Sequence, residues 1–184
     1  MRAHEVTLQV CRQWGGRALA EEAFRSLSLI LRGELAILSV DAPYAGDPPP
    51  SAPPGHCFGL WDFEVVELFI ASEARPERYV ELEVGPHGHF LALSFEGVRA
   101  PDVHQLSVSD AVSYRSEIQG KRWSVRLSFP QRWLPPMPWL GCAFAIEGVG
   151  RERRYLLSSP LSGETPDFHQ PALFPPLLAR PAAG

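Results

Sequence analysis

Lysine is almost missing from this 184-residue sequence: Lys121 is the only one, so arginine supplies nearly all the positive charge. That bias reads as a GC-rich coding sequence of bacterial source and bears on origin rather than function. Cysteine is also scarce. Cys11, Cys57 and Cys142 are odd in number and widely spaced, which fits reduced thiols better than a disulfide framework or a zinc site. No apolar run approaches the roughly 20 residues of a membrane span, and residues 1–6 lack an apolar stretch of signal-peptide length. The expected location is therefore the cytoplasm. A formal charge of −4 argues against nucleic acid or an anionic membrane, so neither is expected as a partner.

Helix signals are few as well; only the stretch from Ala18 to Phe24 reads as a short helical turn. What is present instead is a series of short alternating or apolar runs separated by Gly, Pro and Asp. Strands are expected near residues 5–11, 25–32, 34–41, 62–70, 79–85, 89–95, 106–115, 122–129, 142–149 and 153–158. Ten short strands with little helix predict an all-β, two-sheet antiparallel β-sandwich, one domain spanning residues 1–184. Three segments interrupt it. Ala42 to Pro54 holds six prolines and must be a long irregular loop; Pro130 to Trp139 holds four and reads as a stiff crossover; the tail from Pro160 reads as an extended strap.

The most informative stretch runs from Leu60 to Ile70 and on through Tyr79 to Leu93. Side chains alternate faces along a strand, so Glu67, Glu81 and Glu83 share a face with Trp61, Phe63, Phe69 and Tyr79. A two-residue turn at His87-Gly88 would pair Val84 with Leu91, Leu82 with Leu93 and Val80 with Phe95 on the core side. Phe90, Ala92 and Ser94 would then join the acidic face. One register across the preceding pair sets Phe69 beside Tyr79, Glu67 beside Glu81 and Val65 beside Glu83. Facing carboxylates repel, so arginines such as Arg99, Arg126 or Arg153, a proton, a metal or a ligand's hydroxyls must compensate. Aromatic rings beside carboxylates suit a polyol, because rings cover its C–H surface while carboxylates accept its hydroxyls.

Other signals are weaker. His87 and His89 are two apart, as are Asp167 and His169, a spacing that lets a metal be shared but lacks the specificity of a Cys-rich motif. A Ser158 or Ser159, His169 and Asp167 triad has no nucleophile elbow to support it, and directly paired carboxylates on a flat sheet lack the cleft glycoside hydrolysis needs.

The Leu60–Phe69 motif, the run from Tyr79 to His89 and the Pro166-Asp167-Phe168-His169 strap, taken in that order, resemble the DOMON-like proteins, whose domain is similar to carbohydrate-binding module family 9. The resemblance implies a sandwich of about ten strands. It also implies sugar binding, as in related domains, or haem binding, as in others. Sugar-binding relatives hold their ligand between two tryptophans, and only Trp61 is a counterpart here. Haem-binding relatives use a Met and His pair, whereas Met1 and Met137 are the only methionines. No cofactor is therefore expected. The reading is a non-catalytic binder of a small carbohydrate or polyol, using Trp61, Glu67, Tyr79, Glu81 and Glu83. His87, His89, Asp167 and His169 would join if the strap folds over that face. The alternatives are a metal-dependent enzyme built on the His, Asp and Glu positions, and a protein-interaction module with no small ligand.

Overall fold

A computed structural model describes residues 4–102, 106, 112–177 and 180–181. The strands are β1 (His4–Val10), β2 (Arg12–Gln13), β3 (Arg25–Arg32), β4 (Leu35–Pro43), β5 (Gly55–His56), β6 (Val65–Ser72), β7 (Arg75–Val84) and β8 (His89–Gly97). They continue with β9 (Ala100–Pro101), β10 (Ser113–Gln119), β11 (Arg122–Pro130), β12 (Trp139–Glu147), β13 (Arg154–Leu157), β14 (Pro176–Leu177) and β15 (Arg180–Pro181). One sheet has the order β10-β11-β4-β3-β1-β15; the other runs β2-β13-β12-β6-β7-β8-β5, with β14 beside β12 and β9 beside β8. Pairing is antiparallel except where β5 meets β8. The expected β-sandwich is thus the observed fold. Of the strand expected over 106–115, residues 113–115 fall in β10, and 107–111 lie outside the described residues. The expected helical turn is a single 3-10 turn, Glu21–Ala23. No helix among the described residues is long and apolar enough to cross a membrane.

The two sheets differ in burial, and the site follows from that difference. In β3 the pattern Arg-Ser-Leu-Ser-Leu-Ile-Leu-Arg alternates buried with more accessible positions, so the first sheet keeps one face toward water. Every residue of β6 is buried. Its inner face gives Val66, Leu68 and Ile70 to the core between the sheets, with Leu82 and Val84 of β7 and Leu29, Leu38 and Leu127 opposite. Its outer face gives Val65 and Phe69 to a second apolar cluster outside the sandwich. A 3-10 turn, Leu60–Asp62, and the strap carrying Phe168 and Phe174 cover that cluster.

Register corrects two expectations. Val84 pairs with Phe90, Leu82 with Ala92 and Tyr79 with Phe95, one residue away from the expected pairing. The link is not a two-residue turn. The Gly85 N–H donates to the His89 carbonyl at 3.0 Å, closing a longer loop in which Gly88 takes φ 88°. A Cβ on Gly85 would lie 3.2 Å from the Glu64 carbonyl, so a side chain there would crowd the neighbouring backbone. A one-residue slip exchanges faces. Phe90 and Ala92 therefore enter the inner core, while Leu91, Leu93 and Phe95 go to the acidic face. Between β6 and β7 the shift is two residues: Glu67 lies opposite Glu83, Phe69 opposite Glu81, and Ala71 opposite Tyr79. β7 begins at Arg75, with a register irregularity at Ala71/Ser72, so the gap left between the expected strands 62–70 and 79–85 is a tight turn.

Glu64 holds the proline-rich loop to the sheet. One carboxylate oxygen accepts from the Ala45 N–H at 2.9 Å and the Trp123 indole N–H at 3.0 Å. The other accepts from the Gly46 and Asp47 N–H groups at 3.1 and 3.4 Å. Burial pushes the Glu64 pKa up, and the backbone donors oppose that rise. Glu64→Ala would strand the buried indole and free the loop, at a cost of about 2–3 kcal/mol. Urea unfolding monitored by circular dichroism would measure it; a loss below about 0.5 kcal/mol would show that the loop is held elsewhere.

Candidate functional site

The second cluster leaves a cleft of about 410 Å³ above the middle of β6, β7 and β8. Its walls are aromatic. Phe58 and Trp61 meet edge to face at 5.0 Å between centroids, and Phe58 is 75% exposed, which makes it the outer lip. Phe69, Phe95, Tyr155 and Phe168 complete the wall. Phe168 stacks on Phe144 at 4.1 Å and 10°, and this contact seats the strap. The strap is also tied by Gln170, whose Nε2 donates to the Ser162 and Asp167 carbonyls at 2.7 and 2.9 Å. Arg153 steadies the opposite side by donating to the carbonyls of Asp62 (2.9 Å) and Trp61.

Glu67 and Glu81 form the floor, 2% and 4% exposed, and Glu83 lies fully buried beside them. Glu67 Oε1 and Glu81 Oε2 have no hydrogen-bond partner among the described residues. Neither Glu83 carboxyl oxygen has a hydrogen-bond partner among the described residues. Burial drives all three pKa values upward. Glu67 is held well above the carboxylate range by burial and then by the Glu81 charge, with Arg153 opposing. Glu83 is held well above it by burial and then by Glu67 and Glu81. Glu81 rises to about 7 through burial, moderated by Glu83 and by Arg99. Near neutral pH this floor is therefore mostly carboxylic acid.

The rim is a relay from β7 to the strap. The Arg99 backbone N–H donates to the Tyr79 hydroxyl oxygen at 3.1 Å, from a backbone with φ 58° that few residues other than glycine adopt. With that acceptor site used, the Tyr79 O–H is free to donate to His169 Nδ1, 2.6 Å away. When the Tyr79 O–H is the donor, the imidazole proton sits on Nε2, which faces Glu81 Oε2 at 4.0 Å. That gap exceeds a hydrogen bond. Burial, then Arg99, lowers the His169 pKa to about 4, so the ring is neutral. Burial raises the Tyr79 pKa to about 12. Asp167 accepts from Arg99 at 2.7 Å and from the His169 N–H at 3.0 Å.

Of the residues singled out from sequence, Trp61, Glu67, Glu81, Asp167 and His169 line the cleft. Tyr79 supports it from behind, stacked on Phe95 at 4.4 Å, and Glu83 lies under the floor. His87 and His89 are elsewhere: their Nε2 atoms donate to the carbonyls of Asp47 at 3.3 Å and Ala52 at 2.9 Å, holding the proline-rich loop. The expected pooling of these histidines with the strap is therefore corrected by the register of β8, which aims them at that loop. No group of three or more His, Cys, Asp or Glu among the described residues is arranged to hold a metal. Phe58, Leu93, Phe95 and Tyr155 were not anticipated in the cleft. Phe58 was signalled by its place three residues before Trp61 at the end of a loop, whereas Leu93 and Phe95 required the correct register.

Among solved structures, a protein from Bacteroides uniformis ATCC 8492, provisionally assigned as carbohydrate-binding, superposes with a TM-score of 0.65 at 19% identity. The match covers 92% of this chain and 83% of that one. A family 9 carbohydrate-binding module from Caldicellulosiruptor kristjanssonii, solved with cellotriose, gives 0.52 at 10% identity over 83% of this chain and 72% of that one. These likenesses establish the fold that the DOMON-like resemblance implied. No protein-family model matches the chain. In sequence, it is 36% identical over 142 residues to the UPF0462 protein C4orf33 homolog of Danio rerio, covering 73% of this chain and 70% of the relative. It is 35% identical over 141 residues to the human UPF0462 protein C4orf33, covering 72% and 68%. The mouse homolog is 33% identical over 147 residues, covering 76% and 74%. These relatives are vertebrate, which overturns the bacterial source read from arginine usage; codon-level bias in base composition is not confined to bacteria. On this similarity the chain belongs to the UPF0462 (C4orf33) family.

Proposed function

We propose that the cleft binds a small carbohydrate or polyol without transforming it. The observation that carries this reading is the lining of one cleft by an aromatic wall and by two buried carboxyl groups, each with an oxygen that lacks a hydrogen-bond partner among the described residues. Rings of this kind cover the C–H faces of a sugar. A protonated or ionised carboxyl at the floor supplies the acceptor that a buried hydroxyl requires. The volume of about 410 Å³ lies within the range of small-ligand pockets and suits a mono- or disaccharide. The family 9 module solved with cellotriose, similar in fold, supports the same reading.

The test is isothermal titration of the purified protein with mono- and oligosaccharides, after a thermal-shift screen. Ligand at about 100 times its Kd adds roughly 2.7 kcal/mol of stability, enough to move the melting temperature visibly. Trp61→Ala should weaken every sugar that binds by about tenfold, through loss of a desolvated stacking surface. Unchanged binding of every confirmed sugar by a Glu67→Gln/Glu81→Gln double variant would place the site elsewhere. No heat or shift with any sugar would favour a surface that docks protein instead.

A further inference from the structure

The floor of the cleft holds two buried carboxyl groups, Glu67 and Glu81, that no arginine or lysine among the described residues pairs with. Glu67 Oε1 and Glu81 Oε2 are both buried, both without a hydrogen-bond partner among the described residues, and come from adjacent strands whose register sets Phe69 opposite Glu81 and Glu67 opposite Glu83. Leaving such groups without partners costs stability unless a ligand completes them. We propose that the cleft selects sugars carrying a free amine, binding an amino sugar as its ammonium form between Glu67 and Glu81. The proposal rests on the carbohydrate reading and specifies the class of sugar.

Four features favour a cation over a hydroxyl. An ammonium brings three donors and no acceptor, matching a floor that offers open carboxyl oxygens. The aromatic rings of Trp61 and Phe69 line the same space, and aromatic rings favour a nearby cation. The rim cation, Arg99, is occupied by Asp167 at 2.7 Å. His169, hydrogen-bonded to Tyr79 through Nδ1, stays neutral and adds no competing charge.

The charges facing the floor define the expected linkage. Glu81 meets Glu83 on its own strand, Arg99 beyond β8, and His169 on the strap, with Asp167 beside Arg99. Glu67 meets Glu81 and feels Arg153, and Cys57 lies near Glu83. An arriving ammonium ionises a floor carboxylic acid, which becomes carboxylate and releases its proton to solvent, while the amine keeps its own. Binding of the charged amine is therefore coupled to release of about one proton near pH 7.

The experiment titrates the intact protein at pH 7 with D-glucosamine, D-galactosamine and D-mannosamine, and with their N-acetylated and neutral parent sugars. Each titration is run in buffers of differing ionisation heat. At least one hexosamine should bind about 10–100-fold tighter than its neutral and acetylated parents, the span of a charge-assisted hydrogen bond, with proton release seen as a buffer-dependent heat. Glu67→Gln and Glu81→Gln should reduce that preference to within about threefold. Neutral sugars binding as tightly as their amines, or hexosamine binding with no buffer dependence, overturns the amine selectivity and leaves the carbohydrate site standing. Absence of binding by any of these sugars overturns both. Because the proton count is read on the unmodified protein, a variant that fails to fold does not shield the proposal.

Discussion

Unfolding free energy is expected to fall as pH rises from 5 to 7, the reverse of acid-labile proteins that pair their carboxylates. Glu67 and Glu83 are held well above the ordinary carboxylate range by burial, and Glu81 is raised to about 7. In the unfolded chain these groups ionise near 4.5. Between that value and their folded pKa the native state binds more protons, so stability falls with rising pH. Each net proton contributes about 1.4 kcal/mol per pH unit. His169 acts oppositely: with its pKa lowered to about 4 from 6.5, the unfolded chain binds the extra proton and stability rises through that window. His56, also lowered by burial, acts in the same sense as His169, while the raised Glu64 adds to the carboxyl side. The carboxyl groups outnumber the histidines, leaving a net loss of roughly 2–5 kcal/mol across those two pH units. Urea unfolding at half-unit pH steps measures it, and Glu81→Gln should flatten the slope. A stability that is level or rising from pH 5 to 7 would mean the floor is ionised.

Arg25→Ala should destabilise the fold by about 3–5 kcal/mol. Arg25 shares the inward face of β3 with Leu27 and Leu29, yet it is only 3% exposed. Its guanidinium donates across the sandwich to Glu147 on β12 and locally to the Ala23 carbonyl. Glu147, also 3% exposed, accepts from Arg154 through its other oxygen. Burial alone would lower the Arg25 pKa, and Glu147 opposes that. The pair therefore closes one end of the inner core with charges that depend on each other. Removing one leaves a buried carboxylate with a single, half-exposed partner. The pair itself can be close to neutral against apolar replacements, so Arg25→Met with Glu147→Met should recover most of the loss. Denaturant midpoints for the two single variants and the double variant decide this; additive losses would show that the two residues act separately.

The sheet architecture was legible because its strands carry their own pattern. In β3 the expected span of residues 25–32 is the observed one, since Leu27, Leu29 and Leu31 alternate with more accessible positions. The acidic row was legible for the same reason: Glu67, Glu81 and Glu83 occupy positions a core strand would fill with apolar residues. Its burial was not legible. The cover comes from residues 60–62, a 3-10 turn next to the expected strand 62–70, and from the strap around Phe168, which is remote in sequence from β7. The face of β8 was misread because Pro86-His87-Gly88 looks like a short turn, whereas the Gly85 N–H bonds to the His89 carbonyl and lengthens it by enough to exchange faces. Arg99 was picked out as a possible counter-charge to the carboxyls. Its role in holding Tyr79 through its backbone N–H depends on a φ of 58° that no residue pattern announces.

The proposed site has Glu67 and Glu81 as a protonated floor, with Glu83 beneath it, that an amine-bearing sugar occupies. Carboxyl-carbon NMR of the protein labelled at glutamate, titrated from pH 4 to 9 alone and with saturating D-glucosamine or D-glucose, tests it most directly. The account predicts that Glu67 and Glu83 remain protonated above pH 7 in the free protein. It also predicts that D-glucosamine, and not D-glucose, drives Glu67 or Glu81 to the ionised form at pH 7. Ordinary titration of all three near 4.5, with no response to D-glucosamine, would contradict it.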